Sequence, residues 1–174
     1  GFTGVIIRPA TVCGYSPRTR LDLSVNILTN HAVNKGLITV FGGTQKRPNL
    51  HIEDMLDAYE MLMALPAEKI NRGTYNCGYQ NLSVSEIAHV VKRTVEEIFP
   101  EKAPIAIVTT ESNDNRSYHI NSDKIGRELG FKPRRTIEDA VRDMCTAFKA
   151  GLLPNSLTDD VYYNVRTLRA LRVS

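Results

Sequence analysis

Self-sufficient catalytic motifs are what this 174-residue sequence most conspicuously lacks. It contains no G-x-G-x-x-G, no Walker loop, no H-E-x-x-H and no G-x-S-x-G elbow. No tyrosine is followed by lysine four residues later, so a helical Tyr/Lys proton-transfer pair is absent. The histidines His31, His51, His89 and His119 form no ligand cluster by spacing, and no metal site is expected. Cysteine is scarce: Cys13, Cys77 and Cys145 are odd in number and lack metal-ligand spacing, which suits a reducing, cytoplasmic setting. No apolar run approaches membrane-spanning length, and the N-terminus shows no basic-then-apolar leader. The excess of basic over acidic residues is small, 22 against 19, too weak to argue for a nucleic-acid partner. An initiating methionine is also missing, and a strand pattern begins almost at residue 1, the mark of a fragment or a processed chain.

What is present is ordinary globular composition, 42% hydrophobic and 24% charged, with strands alternating with helices. Thr3 to Arg8 is a β-branched apolar run, expected to be a buried strand of a parallel sheet that delivers a turn at Thr11–Gly14. Asp22 is placed to cap a helix that stops at Gly36. Residues 38–43 form a strand, 44–49 a polar loop, and an apolar helix runs from about Glu53 to Pro66. A strand over 73–78 precedes the capping-box pattern Ser83-Val-Ser-Glu86 and a long amphipathic helix. Strand 105–110, a short helix closed by Gly130, and a helix capped by Thr136 follow. In the tail, Val165, Leu168 and Leu171 should lay an apolar stripe on the body, with Arg166, Arg169 and Arg172 solvated.

Single residues carry little chemistry by themselves. His51 and Asp54 stand at a helix start, where packing and dipole roles are the ordinary ones. Cys13 has no evident base beside it and reads as a small buried residue. The stronger signal is a set of polar and basic residues after strands: Thr11, Arg18, Arg20, Asn26, Arg47, Asp114, Arg116 and Tyr118. Two guanidinium forks brought together would clamp a diphosphate bidentately.

Five blocks occur in order: R-P-A-T-V-C-G, R-x-D-L-x-x-N, I-T-V-F-G-G-T-Q-x-R-P-N-x-H-I-x-D, D-N-R-S-Y and K-I-x-R-E-L-G-F-K-P. Together they closely resemble the C-terminal half of extended short-chain dehydrogenase/reductases, specifically the NAD-dependent nucleotide-sugar epimerases and dehydratases. The resemblance implies an α/β chain: late Rossmann elements interleaved with the start of a small substrate-binding domain over 1–80, then the rest of that domain and a helical tail over 81–174. It implies that Pro9 and Ala10 pass beneath the nicotinamide of NAD or NADP, which a missing N-terminal Rossmann half mainly binds. It places Thr11 by the sugar, Asn26 at the diphosphate, Thr39 and Phe41 at the base, and Arg47 on the phosphates. Asp114, Arg116 and Tyr118 would reach ribose and phosphates. Cys13 stands where relatives carry tyrosine, and NDNRSY replaces an R-x-G-D form. The chain would bind a nucleotide sugar and be inactive alone, and the intact enzyme could be a homodimer. Two other readings fit the missing catalytic residues: a non-catalytic dinucleotide-binding or scaffold relative, and an autonomous protein-interaction module.

Overall fold

A computed structural model describes residues 1–112 and 116–171. Strand β1 (Ile6–Pro9) pairs in parallel with β5 (Thr74–Cys77), Ile6 lying opposite Thr74. Strand β2 (Thr11–Cys13) follows after one residue and pairs in parallel with β4 (Lys46–His51). On its other side β4 pairs antiparallel with β6 (Gln80–Ser83). The third sheet is β3 (Leu37–Phe41) in parallel with β7 (Ala106–Thr110). The helices are α1 (Ser24–Lys35), α2 (Ile52–Ala64), α3 (Ala67–Ile70), α4 (Val84–Ile98), α5 (Asp123–Leu129), α6 (Ile137–Lys149) and α7 (Asn164–Ala170). Parallel pairs require crossovers, and helices supply them, as expected for α/β.

Helix boundaries follow local chemistry. Ser83 Oγ accepts from Glu86 N at 3.2 Å while Glu86 Oε2 accepts from Ser83 N at 2.7 Å, a reciprocal cap on α4. Thr136 and Asp139 do the same for α6. Helix α1 ends at Gly36, whose φ of 63° suits a residue without Cβ.

Two main cores result. Val25 and Ala32 of α1 pack with Ile38 of β3, Ile87 and Val91 of α4, and Val141 of α6. Around β1 and β5, Leu50, Met55, Tyr75, Cys77 and Ile125 form the second. A smaller cluster joins Leu21, Met144, Leu153 and Tyr163.

Several sequence expectations are corrected. The first strand is mostly exposed: Val5 and Ile7 turn toward α2, but Ile6 on the other face is 57% exposed. With β5 as its one partner strand, only one face and one edge of β1 are covered among the described residues. Thr11–Cys13 is a strand, and 46–51 is the middle strand of a three-stranded sheet although its first half is polar. Antiparallel pairing with β6 holds Lys46–Asn49 in the sheet against propensity, and Pro48, which cannot donate, lies just outside the pairing with β2. Asp22 does not cap α1, whose N-cap is Leu23 without a side-chain bond. Its carboxylate instead accepts from Arg20 Nε at 3.0 Å and from the backbone of Asn164 at 3.1 Å. The tail stripe does not pack: Val165, Leu168 and Leu171 are exposed, because Tyr163 and Leu153 fill the adjoining core. Arg166 lies 4.1 Å over the Tyr163 ring, and Arg172 is outside the described residues.

Candidate functional site

The chain leaving β2 turns at Gly14, whose φ of 106° excludes most side chains, and a Cβ there would sit 3.3 Å from Ile52 Cγ2. The turn is strapped to α1 by Asn26. Its Oδ1 accepts from Gly14 N at 3.0 Å, and its Nδ2 donates to the carbonyls of Gly14 and Arg20 at 3.3 and 2.9 Å. This strap walls a cleft of about 460 Å³ lined by Pro9, Ala10, Thr11, Gly14, Arg20 and Asn26. The cleft lies at the C-terminal ends of parallel strands β1 and β2, where α/β sheets place ligands. Asn26 borders the cleft, but its amide is committed to backbone groups.

A second cleft of about 270 Å³ opens on the other side of α1, among His31, Thr39, Phe41, Gln45, Arg47 and Ser112. Gln45 shapes its floor: Oε1 accepts from Gly43 N and Nε2 donates to Phe41 O, both at 2.6 Å. Arg47 Nη1 donates to the carbonyls of Arg116 at 2.5 Å and Lys46 at 3.0 Å. Its guanidinium lies 5.3 Å from the Tyr118 ring centroid. Tyr118 N donates to Lys46 O at 3.1 Å, and Lys46 N donates to Ser117 Oγ at 3.0 Å, which docks the late loop along β4. Arg47 thus lines this cleft and ties it to the late loop, through the backbone of Arg116, 69 positions on, and the ring of Tyr118. Asp114 falls outside the described residues. Arg18 is turned to Asn164 and Arg20 to Asp22. His31 and Ser112 join the site without any sequence motif to announce them, whereas Gln45 stands in the T-Q-x-R-P-N block.

Three weaker candidates have structural duties. Burial and the Asp54 carboxylate push the Cys13 thiol up to about 12, so it is no nucleophile at neutral pH. His51 is buried, its Nδ1 accepts from Glu53 N at 3.1 Å as the cap of α2, and its Nε2 lies 3.1 Å from Asp143 Oδ2. Asp54 accepts from the backbones of Arg134 and Arg135 and from Arg135 Nη1 at 2.8 to 3.0 Å. Among the described residues no three His, Cys, Asp or Glu side chains form a metal-binding group, and no helix is long and apolar enough to cross a membrane. The small apolar wall of Pro9 and Ala10 at the strand end fits a flat cofactor ring.

A mixed α/β fold with parallel strands opening on a polar cleft is the class defined so far. The model of the NAD dependent epimerase/dehydratase family matches residues 1–78. The chain is 28% identical over 134 residues to dTDP-glucose 4,6-dehydratase of Escherichia coli, an alignment spanning 74% of this chain and 36% of that protein. It is 26% identical over 160 residues to UDP-glucose 4-epimerase of Azospirillum brasilense, covering 81% of this chain and 44% of that one. The structure superposes with a TM-score of 0.67 and 21% identity on UDP-glucuronic acid 4-epimerase from Bacillus cereus, solved with UDP-glucuronic acid and NAD, covering 84% and 45%. The chain therefore spans under half the length of these relatives. These likenesses support the NAD-dependent epimerase/dehydratase family, with the Rossmann-type fold of its structural neighbours.

Proposed function

We propose that this chain is the C-terminal, nucleotide-sugar-gripping portion of a cytoplasmic NAD(P)-dependent epimerase or dehydratase. Residues 1–80 would contribute late Rossmann elements and 81–174 the rest of a small substrate domain. The observation that carries this reading is the place of Arg47, which lines the cleft that holds Thr39 and Phe41 and docks the late loop through the Arg116 carbonyl and the Tyr118 ring. The relatives act on dTDP- and UDP-sugars by their names, and a guanidinium in the cleft suits their diphosphate. The base would lie by Thr39 and Phe41 and the phosphates by Arg47, with the late loop of Arg116 and Tyr118 reaching ribose and phosphates, and the sugar near Thr11, with Asn26 holding the turn that it meets. NAD or NADP, when bound, supplies reversible hydride exchange; in this chain Pro9 and Ala10 would border it. Proton transfer and most cofactor contacts would belong to an N-terminal Rossmann half, and the intact enzyme could be a homodimer. Remote binding energy of the nucleotide orients the sugar.

Calorimetric titration of the chain with UDP-glucose and dTDP-glucose tests this. Binding is expected, with Arg47→Ala weakening it by about 1.5–3 kcal/mol, the worth of a charge-assisted hydrogen bond. No NAD-dependent turnover is expected from the chain alone. Absence of binding, or an indifferent Arg47→Ala, removes the clamp.

A further inference from the structure

The four histidines of the chain are used unequally. His51 caps α2 and approaches Asp143. His89 Nδ1 lies 2.8 Å from the Ser85 carbonyl oxygen. His119 is exposed. His31 is half-buried in α1, yet among the described residues no hydrogen bond engages its ring, while its neighbours Asn30 and Asn34 are tied to Ser156. The fold therefore gives His31 no polar partner and faces it into the cleft shared by Thr39, Phe41 and Arg47.

From this placement we infer that His31 is a specificity-determining residue for the nucleobase, exchanging one hydrogen bond with the edge of a pyrimidine such as uracil or thymine. The inference rests on the nucleotide-binding reading above and names a residue that reads the base. Three features of the cleft support it. Burial, with the Lys35 ammonium nearby, holds the pKa of His31 below its ordinary 6.5, so the ring is neutral at pH 7 and carries one donor and one acceptor. Phe41, 61% exposed at the end of β3, offers an aromatic face against which a base can stack. Arg47 stands in the same cleft to take the diphosphate, so base and phosphates can be held at once.

The test compares UDP with pyrophosphate, which lacks the base, at pH 7.5 on the 174-residue chain. Expected for His31→Leu is a loss of UDP affinity of about tenfold, with pyrophosphate affinity unchanged, and recovery of most of the UDP affinity in His31→Gln, which keeps a donor and an acceptor. On the unmodified chain, the imidazole resonances of His31 should shift on addition of UDP and stay put with pyrophosphate, a readout that needs no variant to fold. Unchanged UDP affinity in His31→Leu, equal weakening of both ligands, or a still imidazole under saturating UDP overturns the inference and leaves the diphosphate clamp standing. If the unmodified chain binds neither ligand, the clamp itself fails and the base reading falls with it.

Discussion

Asp54 shows how a residue that looks catalytic can be architectural. Its buried carboxylate gathers two backbone N–H groups and a guanidinium from residues 134–135, fixing the segment that leads into α6. Asp54→Ala leaves those donors facing a buried gap. A destabilisation of roughly 3 kcal/mol is expected, read as a lowered denaturant midpoint. A catalytic carboxylate would leave the midpoint nearly unchanged. The same scale separates Cys13 from nucleophiles: the sequence suggests a turn there, but Cys13 ends strand β2 and its Sγ donates to Leu50 O at 3.5 Å inside the core.

Among the elements, those written in local chemistry were legible beforehand. The capping patterns at Ser83 and Thr136 and the stops at Gly36 and Gly130 fall where the helices begin and end. Thr136→Ala removes the oxygen that accepts from Asp139 N and should lower stability by about 1 kcal/mol, measured as a shift in thermal midpoint; Thr136→Ser should retain most of it. Strands β2 and β6 are three and four residues long. Such strands exist because β4 lies between them, and pairing across that distance leaves little trace in local composition. The tail misled for the opposite reason: its three-residue period is a real helix, α7, but periodicity does not say what the stripe meets.

For the molecule as a whole, acidic groups tie distant elements together. Asp57 accepts from Arg135 and Arg134, and Glu138 from Arg142 and Arg93, and these bonds lower both carboxyl pKa values. The backbone and side chain of Thr136 do the same for Asp139. A depressed folded-state pKa adds stability that is complete above the unfolded values, 3.8 for Asp and 4.5 for Glu, and is lost as pH falls through the folded ones. The melting temperature should therefore be flat between pH 8 and 6 on this account and fall below about pH 5. Melts at pH 7, 5 and 3 check it, and an unchanged midpoint at pH 3 would show that these ties carry no net stability.

The helix limits at Gly36, Ser83, Gly130 and Thr136, the alternation of strand and helix, and the identity of the arginines on loops after strands were set by the sequence alone, because caps, glycines and hydrophobic period act within a few residues. Only the tertiary structure decided that β4 is a central strand, that Asn26 spends its amide on the Gly14 turn, that Arg47 lies on the backbone of Arg116, and that His31 faces Phe41 across a cleft. Each of those contacts joins residues through space, where pairing and packing free energy, not local preference, selects the partner.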